Sequence, residues 1–169
     1  MKVELKQIKF SEAMSEETNA FTANLYINGK NVGYCKNQGH GGCTDYNANE
    51  PEDWKTIKEA EAYCKALPKV KYGNTEFDQS LESVIDNLLE NWLEARHNKK
   101  VKAKMHKLMQ TCILVGSPLE NNYSYYNFKR PLSSLSQPQL QASVNRITKQ
   151  FEQGEVILNT NLEALGIKV

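Results

Sequence analysis

Apolar and polar positions alternate strictly over residues 20–36. Phe21, Ala23, Leu25 and Ile27 are separated by polar neighbours, and Val32 and Tyr34 continue the pattern after Asn28-Gly29. A period of two puts successive apolar side chains on one face of a strand. Asn-Gly accepts the positive φ angles of a two-residue hairpin turn. The pattern predicts a β-hairpin pairing Leu25 with Val32 and Ala23 with Tyr34, all on one face. Residues 3–10 alternate too, but the parity shifts from Val3 and Leu5 to Ile8 and Phe10, which predicts a strand with a β-bulge. Polar residues 11–19 read as a connecting loop, and Gly- and Asn-rich residues 37–50 as a long one.

The period then changes. Trp54, Ile57, Ala60, Cys64 and Leu67 form a helical stripe, opened by Pro51, Glu52 and Asp53 and closed by Pro68. Leu81, Ile85, Leu88 and Trp92 mark a second helix over 78–95, with Asp78, Glu82, Asp86, Glu90 and Glu94 on its other side. Residues 96–107 reverse the sign with Arg96, Lys99, Lys100, Lys102, Lys104 and Lys107, and either continue this helix or form another reaching Met109. Cys112–Val115 reads as a buried strand, 116–122 as a turn, and Tyr123–Phe128 as its hairpin partner. Residues 131–138 read as a surface connection. Leu140, Val144, Ile147 and Phe151 predict a third helix, with a Ser136/Gln139 capping box and a Gly154 C-cap. A short strand at 155–158 and a helical turn at 161–165 closed by Gly166 complete the chain. The sum is a single α+β domain over 1–169, its mostly antiparallel sheet built from two hairpins and packed against about three helices.

Composition narrows the class. With 40% hydrophobic and 24% charged residues, the chain can bury a core and is not a disordered one. No apolar run reaches membrane-span length, and the N-terminal residues carry no signal-peptide core, so a cytoplasmic protein without membrane contact is expected. Its four cysteines, Cys35, Cys43, Cys64 and Cys112, are then expected as free thiols. The net charge of +1 speaks against a globally polybasic nucleic-acid binder.

Three chemistries compete at Gly39-His40-Gly41-Gly42-Cys43-Thr44-Asp45. Three glycines in four positions suit a backbone nest for a phosphate-bearing or nucleotide ligand, with Thr44 and Asp45 adding hydroxyl contacts. The alternative is a tight connection between sheet edge and helix. The loop matches neither a P-loop nor a GxGxxG dinucleotide site. Cys35, His40 and Cys43 are zinc-ligand types, but a fourth ligand must come from Cys64, Cys112 or a distant histidine, so no metal and no cofactor are assigned. Cys43 with His40, His97 or His106 and Asp45 would serve nucleophilic catalysis only if a base lay within hydrogen-bond reach. Elsewhere, Lys99, Lys100, Lys102 and Lys104 could contact phosphates, and Tyr123, Tyr125, Tyr126 and Phe128 could stack on bases if exposed. Solvated helix faces and packed sheet tyrosines are the ordinary alternatives.

The stretch Phe21–Gly29, continued through Gly39-His40-Gly41-Gly42-Cys43-Thr44, resembles a recurrent pattern in small uncharacterised proteins of phages and mobile elements, over about a quarter of the chain. The resemblance implies an accessory protein that acts on a host component such as a defence system. The leading expectation is a non-enzymatic binding module whose loop at Gly39, His40, Gly41, Gly42, Thr44 and Asp45 engages a host protein or a phosphate-bearing ligand. The alternatives are a nucleic-acid-binding protein using the 96–107 segment and an enzyme centred on Cys43.

Overall fold

The computed structural model describes residues 1–73, 75–118 and 122–169. It confirms an α+β chain with antiparallel sheets. The described residues pack as two compact units, Met1–Leu93 and Glu94–Val169.

The first unit is built on strands β1 (Val3–Phe10), β2 (Phe21–Ile27), β3 (Lys30–Asn37) and β4 (Asp45–Ala48), paired antiparallel in that order. The bulge expected in β1 is present. The β1–β2 register shifts between Lys6 and Lys9, and Gln7 takes a φ of +52°. Val3, Leu5 and Ile8 therefore all pack against the core. Asn28 and Gly29 adopt φ of +49° and +85°, as the turn requires.

The hairpin's register departs from expectation beyond the turn. Tyr26 pairs with Asn31, but Leu25 pairs with Gly33 and Ala23 with Cys35. A second bulge at Val32 flips the parity of β3. Val32 and Cys35 point into the core, while Tyr34 stands 44% exposed. The bulge also sets Gly33 against β4, where a Cβ would run into the backbone carbonyl oxygen of Asn47. Strand β4 falls within the stretch read as loop. Its polar sequence, Asp-Tyr-Asn-Ala, carries no alternation, so backbone pairing to β3 defines it.

Helix α1 (Asp53–Lys65) buries Ile57, Ala60 and Cys64, but Trp54 is 39% exposed. Asp53 is the buried residue at its start, paired with Lys30 Nζ at 2.6 Å. That contact holds the Lys30 ammonium above its ordinary pKa. A short hairpin, β5 (Val70–Tyr72) and β6 (Thr75–Phe77), was not anticipated.

Helix α2 (Leu81–Leu108) is continuous, so the basic stretch extends the acidic helix. Ser80 and Ser83 cap its start reciprocally: the Ser83 N–H donates to Ser80 Oγ at 3.0 Å and the Ser80 N–H to Ser83 Oγ at 2.9 Å. Leu81, Ile85 and Leu89 close the first core over Leu25, Ile27 and Ile57. The boundary between the units falls inside this helix, after Leu93.

In the second unit, β7 (Cys112–Gly116) lies between β8 (Tyr123–Asn127) and β9 (Val156–Ile157). β7 is buried on both faces. Ile113 and Val115 pack with Leu140, Val144 and Ile147 of helix α3 (Gln137–Thr148). Cys112 and Leu114 pack with Met105, Leu108 and Met109. The expected turn at 116–122 lies in part outside the described residues. Ser136 is the N-cap of α3, but its side chain makes no capping bond, so the capping box does not form. The helix ends at Thr148, and Gly154 (φ +89°) serves a later turn rather than a C-cap. Gly166 closes the final turn at φ +76° as expected. All four cysteines are free thiols, with only Cys43 exposed. Among the described residues no helix is long and apolar enough to cross a membrane.

Gly33→Ala is expected to destabilise the protein by about 1–3 kcal/mol, because the added methyl meets backbone rather than a side chain that can swing away. Urea denaturation checks this, and an unchanged midpoint would show that β4 is not seated against Gly33.

Candidate functional site

The glycine loop is tied down by its own chain. Asn37 Oδ1 accepts the Gly39 N–H at 2.9 Å and the Thr18 hydroxyl at 2.9 Å, and Asn37 Nδ2 donates to Gly42 O at 2.9 Å. The Gly39 carbonyl accepts three backbone N–H groups, from Glu16 and Glu17 at 3.0 Å each and from Thr18 at 3.3 Å. The Gly41 N–H donates to Thr18 Oγ1 at 3.3 Å. Gly39 (φ +91°) and Gly41 (φ +87°) need a glycine's backbone freedom, and a Cβ at Gly39 would strike the Met14 carbonyl oxygen. Gly42 has open space around it. The loop thus docks segment 11–19 against the end of β3, and several amides expected to cradle an anion are already donating.

Its carboxyl end rests on helix α2. The Thr44 N–H donates to Glu82 Oε1 at 3.0 Å, and the buried Thr44 hydroxyl donates to Asp86 Oδ1 at 2.6 Å. A cleft of about 250 Å³ opens beside these contacts, lined by Glu17, Thr18, Phe21, Asn37, Asp86 and Glu90 among others. Its polarity is acidic. Burial pushes the Asp86 carboxyl above its ordinary value, the Thr44 hydrogen bond opposes this, and Glu82 and Glu90 add to the rise. His40 is exposed, with Nδ1 3.1 Å from Glu16 Oε2, and Asp45 is exposed at the start of β4.

The cysteine chemistry is not assembled there. Glu82, as hydrogen-bond partner and as a charge, raises the Cys43 thiol above its ordinary value, opposite to what a nucleophile needs. Cys35 sits in the core, where burial pushes its thiol up to about 12. Among the described residues no three His, Cys, Asp or Glu side chains gather as metal ligands. His97 and His106 belong to the second unit.

The basic segment looks different. Lys99, Lys100, Lys102, Lys104 and Lys107 are all exposed, while Val101, Met105 and Leu108 are half-buried. None of these lysines forms an ion pair with a described carboxylate. The sequence reading missed the larger pattern that contains them. Residues 94–169 hold 11 Lys and Arg against 5 Asp and Glu, net +6, whereas residues 1–93 hold 10 against 15, net −5. The whole-chain value of +1 is the cancellation of two strongly charged units. Counting charge in halves would have revealed it.

Asp86 fixes a sign for the first unit. Its folded pKa lies above its unfolded one, so its contribution to stability is fully present below the ordinary value of 3.8 and is lost as pH rises through the folded value. Asp86→Asn, which keeps an acceptor for Thr44, is therefore expected to raise the melting temperature at neutral pH. The gain should vanish under acid conditions, and a variant less stable at neutral pH would overturn this reading. For the chain as a whole, no protein-family model, no curated protein and no solved structure matches it.

Proposed function

We propose that this protein is a non-enzymatic binding protein whose second unit engages the phosphate backbone of a nucleic acid. The observation that carries the proposal is the run of exposed lysines on α2 within a unit of net charge +6. Lysines on a rigid helix neutralise phosphates and release counterions without reading sequence. A phosphate-bearing ligand at the glycine loop is less favoured, because the neighbouring cleft presents Glu17, Asp86 and Glu90.

The cleft supports a second reading, in which the loop region receives a cationic side chain of a partner protein. Carboxylates with a partly desolvated member favour an ammonium or guanidinium over an anion. The resemblance to proteins of phages and mobile elements makes a host protein the expected partner in that reading.

The logarithm of nucleic-acid affinity is expected to fall linearly with the logarithm of salt concentration, with a slope of about −0.9 per phosphate neutralised on duplex DNA and about −0.7 on single strands. Lys100→Ala and Lys104→Ala should each flatten that slope by roughly one contact. Fluorescence anisotropy titrations over a range of salt measure it. Binding that ignores salt, or no binding at low salt, overturns the proposal.

A further inference from the structure

We propose that the second unit prefers single-stranded nucleic acid, with Tyr125 as a stacking platform for an unpaired base. The proposal rests on the phosphate-binding reading above and adds the form of the ligand.

Tyr125 is directly opposite Leu114 in the antiparallel β7–β8 pair, so both side chains project from the same face of the sheet. That face packs Met105 and Leu108 of α2. Lys104 and Lys107, their helix neighbours, are exposed. Tyr125 is 55% exposed, a large apolar ring left in water on the sheet face that adjoins the basic helix. Tyr126 faces the other way: its partner across the strands is Ile113, and its hydroxyl donates to Gln150 Oε1 at 3.2 Å.

The chain after β8 adds two exposed cations. The Phe128 N–H donates to Thr111 O at 3.0 Å and the Leu132 N–H to Gln110 O at 2.8 Å, which holds this segment against the end of α2. Between them, Asn127 Oδ1 accepts the Lys129 N–H at 2.7 Å, and Lys129 turns the chain with a φ of +56°. Lys129 and Arg130 are both exposed. β8 is also the outer strand of its sheet. An exposed aromatic ring on the sheet face that packs a lysine-bearing helix, followed in the chain by two exposed cations, matches the chemistry by which single strands are held: phosphates track the cations and bases stack on the ring. In a duplex the bases are already stacked on each other and offer Tyr125 no free face.

The test is fluorescence anisotropy with labelled oligothymidylate, oligouridylate and a DNA duplex of equal length, all at low salt. Wild-type protein should bind the single strands more tightly than the duplex, and the two oligonucleotides separate DNA from RNA as the source. Tyr125→Ala should weaken single-strand binding roughly 5-fold to 100-fold, as removal of a base-stacking ring does. It should leave duplex binding unchanged, and Tyr125→Phe should retain the wild-type preference. Equal affinity of wild type for single and double strands overturns the inference, as does a Tyr125→Ala variant that binds single strands normally. Either result leaves the phosphate reading standing. Absence of binding to every probe overturns the phosphate reading itself.

Discussion

One helix, α2, contributes apolar side chains to a hydrophobic cluster in each unit. Leu81, Ile85 and Leu89 near the start of α2 complete the core of the first unit, and Met105 and Leu108 near its end pack into that of the second. Between these anchors, Glu94 to His97 are all exposed. A helical segment with no apolar face to bury must hold itself by its own hydrogen bonds and by its charges. That requirement explains the composition of α2. Its apolar residues concentrate where a core receives them, and the remainder is charged, acidic toward the positive end of the helix dipole and basic toward the negative end.

The fold was legible wherever a side-chain pattern and a turn signal coincided. The β1 bulge followed from a parity shift, and the Asn28-Gly29 turn from its dipeptide. The register beyond that turn was not legible. Val32 is apolar at the position a simple hairpin assigns to the inner face, and it does face inward, but the bulge passes the next inward place to Cys35 instead of Tyr34. The sequence around Val32 is compatible with either parity, because Gly33 weighs for neither face. In the observed register β4 approaches Gly33 too closely to admit a Cβ, so the glycine fits this parity. β4 itself carried no pattern, since a strand of Asp, Tyr, Asn and Ala is specified by a neighbour's backbone and not by its own hydrophobicity.

The candidate site divides in the same way. Two of the loop's glycines meet a conformational demand, but the sequence could not show what the loop touches. Its partners are Glu82 and Asp86, some forty residues on, and they reverse the electrostatic character that a glycine-rich loop suggests by itself. A spacing motif reports backbone geometry, whereas the sign of a site depends on side chains that the fold brings in. The basic segment was visible as a run, but its weight depended on the compact unit to which it belongs.

A net charge of +1 is a poor guide here for a reason that distance makes clear. Exposed charges are screened over about 8 Å at physiological ionic strength. Residues 94–108 of α2 carry Glu94 as their single carboxylate against Arg96 and five lysines, so the local sign there is positive. A phosphate approaching Lys100 or Lys104 meets a surface that is locally polybasic, and one approaching the cleft beside Thr44 meets a surface that is locally acidic. The two regions present opposite charge, which the near-neutral sum of the chain conceals. Salt would weaken the attraction at both, but it would not exchange their preferences, because the sign in each is set by side chains within one screening length.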